Sequence, residues 1–71
     1  MAFDHAKLRG RIIEKYGTQA EFAKAFGISE NSFSMKMNNK SRFGSDDIIK
    51  MTAMLDIKKE DIGSYFFTLK G

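Results

Sequence analysis

Two glycines ten residues apart, Gly17 and Gly27, each followed closely by a hydroxyl residue, Thr18 and Ser29, place the strongest constraint on this chain. Glycine tolerates the left-handed backbone that ends a helix, and a Thr or Ser hydroxyl accepts a free N–H at the start of the next one. Stop and start signals so close together hold the helix between them to about two turns. The chain is therefore predicted to be all-α, a compact bundle of about five short helices, with all 71 residues (1–71) in one domain.

The apolar spacing supports this block by block. Asp4 is the expected cap of a first helix in which Leu8, Ile12 and Tyr16 recur four apart, Ile13 widens the stripe, and Lys7, Arg11 and Lys15 take the other face. Thr18 and Glu21 have the spacing of a capping box, so a second helix starts at Gln19, buries Phe22, Ala23 and Phe26, and closes at Gly27. Ser29 caps a third helix over about Glu30 to Asn38, with Phe33 and Met37 inward and Glu30, Asn31, Ser34, Met35 and Asn38 outward. Apart from Phe43, Asn39 to Gly44 is polar and turn-like. Ser45 is the expected cap of a fourth helix whose Asp46 and Asp47 suit the positive end of the helix dipole and whose Ile48, Met51 and Leu55 face inward. A short fifth helix, about Lys59 to Ser64, presents Ile62, and the run Tyr65-Phe66-Phe67-Thr68-Leu69 is rich in strand formers.

Length and composition exclude several functions. A chain this short hides only about 60% of the surface its unfolded form exposes, which leaves no volume for both a core and a buried substrate pocket. No nucleophile set, metal cluster, general acid–base pair or phosphate loop is present, so neither an enzyme nor a cofactor or small-molecule substrate is expected. Without cysteine there is no disulfide or thiolate zinc site. The lone histidine, His5, reads as a solvated surface residue. No run has signal-peptide character or the roughly 18 apolar residues of a membrane span, so a cytoplasmic location away from the membrane is expected. Charge is uneven: residues 1–44 carry eight basic side chains against four acidic, and residues 45–71 four against five. Any contact with a polyanion is thus expected in the first part.

From Gln19 to Asn38 the composition is that of a helix-turn-helix. Ala23 is small where the next helix crosses, Gly27 makes the turn, and Ile28 and Phe33 fill the angle. The stretch from Thr18 to Ser34 (TQAEFAKAFGISENSFS) resembles the helix-turn-helix of the phage Cro and repressor family, and Ile48 to Ile57 resembles that family's fourth helix and its exit. The resemblance covers about Leu8 to Ile62. Among its members the chain looks most like small early-region regulators of temperate phages of Gram-positive bacteria, of the type called modulator of repression.

The resemblance implies a lambda-repressor-like DNA-binding domain acting on operator DNA in the bacterial host's cytoplasm. Gln19 would hydrogen-bond a phosphate and brace the third helix. Glu30, Asn31, Ser34 and Met35 would face base edges, with Asn31 able to pair bidentately with adenine, and Asn38 would touch the backbone again. Lys36, Lys40 and Arg42 would attract phosphates. Glu30 departs from the family's usual neutral side chain, and Met35 offers only soft apolar contact. The same surface therefore also reads as a protein-binding face, with the phage's main repressor as its partner. Tyr65, Phe66, Phe67 and Leu69 are expected either to form an interface for a homodimer or partner, or to fold back as a lid over the first and fifth helices.

Overall fold

In the computed structural model, which describes residues 2–70, the glycine and hydroxyl signals act as the sequence implies. Met1 and Gly71, the ends of the expected domain, lie outside the described residues. Helix α1 spans Ala6–Tyr16, α2 Gln19–Phe26 and α3 Glu30–Met37. Thr18 Oγ1 accepts the Glu21 N–H at 3.1 Å, and Ser29 Oγ accepts the Ser32 N–H at 3.1 Å. Gly27 turns the chain with φ +104°, a conformation that a side chain would penalise. Helix α4 spans Ser45–Met54, and a 3-10 turn at Lys59–Asp61 leads into α5, Ile62–Phe66. The described residues thus form an all-α domain of five short helices.

Several local expectations need correction. The cap of α4 is Gly44 rather than Ser45, because Asp47 reaches back and accepts the Gly44 N–H at 3.0 Å. Helix α1 begins after His5; Asp4 still serves it, accepting the Ala6 N–H at 2.9 Å. Ile13 does not widen the buried stripe and is 49% exposed. The strand-forming run divides. Tyr65 and Phe66 continue α5, and only Leu69 pairs in β fashion, antiparallel to Phe3. Helical continuation places Phe66 at 2% exposure, whereas alternation would have left one of each neighbouring pair of aromatics in water.

Leu8, Ile12, Phe22, Ala23, Phe33, Met51 and Leu55 are buried together with Phe66. Phe33 meets Phe22 edge-on at 5.4 Å and lies 6.3 Å from Phe26, filling the angle between α2 and α3 as expected.

Short helices leave a large share of their carbonyls unpaired, and here distant side chains serve them. Arg11 donates through Nε to the Leu55 carbonyl at 2.8 Å, the Tyr16 hydroxyl reaches the Met54 carbonyl at 3.4 Å, and Lys15 pairs with Asp56. One face of α1 therefore holds the C-terminal end of α4. Lys50 does the same for α2, donating to the Phe26 carbonyl at 2.6 Å with its ammonium 4.7 Å from the Phe26 ring centre.

Lys15 lowers the pKa of Asp56 from its ordinary 3.8, first by its hydrogen bond and then by its charge. A carboxyl depressed on folding stabilises the fold above its unfolded pKa, and that contribution disappears as pH falls through the lower folded value. Asp56 is exposed, so solvent screening keeps the effect modest. Thermal melts of Asp56→Asn should therefore show a shallower loss of midpoint on acidification below pH 3.8 than those of the parent chain. Parallel acid limbs would show that the pair is absent in solution.

Candidate recognition surface

Helix α3 is fixed from three sides, which determines what its outer face can present. Phe33 and Met37 anchor it in the core. At its C-terminal end His5 donates through Nδ1 to the Met37 carbonyl at 3.0 Å. His5 is thus not the surface residue expected: it is 5% exposed and packs edge-on against Phe43 at 5.4 Å. Nothing in its sequence neighbourhood marks this role, because its partners lie more than thirty residues away.

Past α3, Asn39 takes a left-handed conformation, φ +64°, which Asn tolerates better than most residues. Its amide spans the Phe3 backbone, accepting the Phe3 N–H at 2.9 Å and donating to the Phe3 carbonyl at 2.9 Å. The loop then folds over Lys36, whose ammonium donates to the Arg42 carbonyl at 3.0 Å and lies 3.3 Å from Asp47 of α4. Lys36 is half-buried and ties α3 to the following loop and to α4, at a position where the resemblance implied a contact with phosphate. The spacing between Lys36 and Asp47, across a loop, gave no warning of the pair.

The other anticipated residues lie on α3, just past its end and at the start of α2. Glu30 and Asn31 are exposed on the first turn of α3, Met35 follows at 40% exposure, and Ser34 is half-buried. Asn38 donates its amide to Ser34 Oγ at 3.2 Å, so these two side chains satisfy each other. Gln19 sits half-buried at the start of α2. Lys40 and Arg42 are exposed beyond the end of α3 and make no ion pair among the described residues. The face is accordingly polar and faintly acidic along the helix, with cations only at its C-terminal margin.

The four tail residues do not form a single patch. Phe66 belongs to the core, which corrects its assignment to an interface. Tyr65 is half-buried beneath the Lys7 ammonium, 4.7 Å from its ring centre. Phe67 and Leu69 remain 51% and 49% exposed. A groove of about 610 Å³ opens between Phe3, Phe43, Phe66 and Phe67, with Arg42 on its lining. Among the described residues no cluster of His, Asp and Glu could hold a metal ion, and no helix is long and apolar enough to cross a membrane.

These features define a small all-α domain that presents a short polar helix on a rigid support. The chain belongs to the family described as "Protein of unknown function (DUF739)", which matches residues 1–69. The solution structure of the modulator of repression (MOR) of the temperate bacteriophage TP901-1 from Lactococcus lactis is closely similar, with a TM-score of 0.84 and 43% sequence identity over 94% of this chain and 90% of that one. No protein with a curated description matches the sequence.

The divided tail can be tested directly. Phe66→Ala should cost about 3–5 kcal/mol of stability, as truncation of a buried ring does. Phe67→Ala should cost below about 1 kcal/mol, because half of that ring already faces water. Urea unfolding of both variants separates the two roles, and equal losses would contradict this placement.

Proposed function

We propose that this chain modulates a phage repressor by binding it through the outer face of α3, and that the face engages protein in preference to bare DNA. The observation that carries this reading is the capture of Lys36. It is the only cation of α3, and it is committed to Asp47 and the Arg42 carbonyl. What remains exposed on α3 is Glu30, Asn31, Ser32 and Met35. A helix in the major groove lies between two rows of phosphates, so a face with a carboxylate and no available cation is poorly suited to it. An exposed methionine beside an amide and a carboxylate suits a protein surface, where the flexible thioether adapts to its partner. The likeness to a modulator of repression supports the same reading, and it fits work in the cytoplasm of a bacterial host.

A second reading keeps operator DNA as the ligand. It is supported by the exposure of Asn31 on the first turn of α3, by Lys40 and Arg42 at the margin, and by the resemblance of α2 and α3 to the Cro and repressor helix-turn-helix. A domain this small would then need a second copy or a bound partner to gain useful affinity.

Mobility-shift titrations of the operator region, with and without the phage's repressor, distinguish the two. The protein-contact reading expects no competitor-resistant shift by the chain alone and a changed or abolished repressor shift on its addition. Met35→Ala should then weaken the repressor contact by about tenfold or more, a central interface truncation of about 1.4 kcal/mol. Tight, competitor-resistant binding by the chain alone, reduced by about 1–3 kcal/mol in Asn31→Ala, would establish the DNA reading in its place.

A further inference from the structure

We infer that the open backbone edge at Leu69 is a docking site for an extended acidic segment of a partner protein, which adds to it as a β-strand. The inference goes beyond the α3 face and does not rest on it. The Asp4 N–H donates to the Thr68 carbonyl at 2.7 Å, and the Lys70 N–H donates to the Ala2 carbonyl at 3.1 Å. Phe3 and Leu69, between these bonds, face each other as a non-hydrogen-bonded antiparallel pair. In such a pair the N–H and C=O of each residue point away from the other strand.

The two outward edges are treated differently. On the Phe3 side, both groups are taken by the Asn39 amide, which occupies the place of a neighbouring strand. On the Leu69 side, no hydrogen bond engages the N–H or the C=O among the described residues. An open edge of this kind is a template for strand addition. Apolar surface lies beside it: Leu69 is half exposed, and so is Phe67, which packs edge-on against Phe3 at 5.7 Å.

Charge selects the occupant. Lys70 is exposed on the edge and makes no ion pair among the described residues, whereas Lys7 shares a neighbouring hollow with Asp4 and is engaged by Ser64 and the Tyr65 ring. A second copy pairing about Leu69 would bring the two Lys70 side chains into diagonal contact range and oppose two chains of net charge +3. A strand that alternates apolar and acidic residues sets its apolar side chains beside Leu69 and its carboxylates near Lys70.

The test uses the full chain, isotope-labelled for NMR, and a synthetic peptide of about eight residues that alternates Val and Glu, a length that spans the edge. The expected result is shifted Thr68, Leu69 and Lys70 amides and slowed exchange of the Leu69 N–H, with binding on the order of tenfold weaker for the Val/Lys peptide. Leu69→Pro removes the outward donor while leaving the internal bonds intact, and should lose binding. Leu69→Val keeps the donor and should retain it. Lys70→Glu should reverse the preference toward the Val/Lys peptide, which keeps the test decisive if the proline variant fails to fold. Unshifted edge amides, undiminished binding by a folded Leu69→Pro, or a peptide-free dimer that itself protects the Leu69 N–H would overturn the inference.

Discussion

Phe33 is the ring on which the arrangement of this domain depends. It is wholly buried at the elbow of α2 and α3, and from it a continuous series of aromatic contacts runs both ways. One branch goes through Phe22, at 5.4 Å, to Tyr16 of α1, a further 4.9 Å on. The other passes to Phe43 at 6.2 Å, then to Phe66 at 5.6 Å and Phe67 at 6.5 Å, and ends on Phe3. Edge-to-face and tilted pairs of this kind contribute about 0.5–1.5 kcal/mol each beyond simple burial. The series joins α1, α2, α3, the loop before α4, α5 and the N-terminal segment, elements that no single helix pair could unite.

Around this series, the ends of the helices are secured by donors from elsewhere in the chain. Lys50 serves α2, His5 serves α3, and Arg11 with Tyr16 serves α4. Each tie satisfies a carbonyl that a short helix cannot pair by itself and also fixes the position of one element against another. Helix α3 gains most from this. Its inner face is held by aromatic packing, its last turn by His5, and the loop behind it by Lys36 and Asn39.

The single cation of α3 is turned toward the fold and away from the helix's outer face. Lys36 pairs with Asp47 and donates to the Arg42 carbonyl, which ties α3 to the loop behind it and to α4. The helix is left with an acid, an amide, a hydroxyl and a methionine, while the available positive charge gathers at its margin on Lys40 and Arg42.

Much of the fold was legible in the sequence because helix caps, glycine turns and apolar spacing act over four or five residues. The limits of α2 and α3, the positive φ of Gly27 and the burial of Phe22, Ala23 and Phe33 all follow from such local rules. The outward set Glu30, Asn31 and Met35 is legible for the same reason, since helical spacing alone decides which side chains oppose Phe33 and Met37. Tertiary structure decided the rest: that His5 is buried against a carbonyl thirty-two residues away, that Lys36 is a staple, that Phe66 joins the core while Phe67 does not, and that Asn39 closes one backbone edge and leaves Leu69 open. These outcomes depend on which groups meet across the folded chain, and a hydrogen bond or ion pair between distant residues leaves no periodic trace along the sequence.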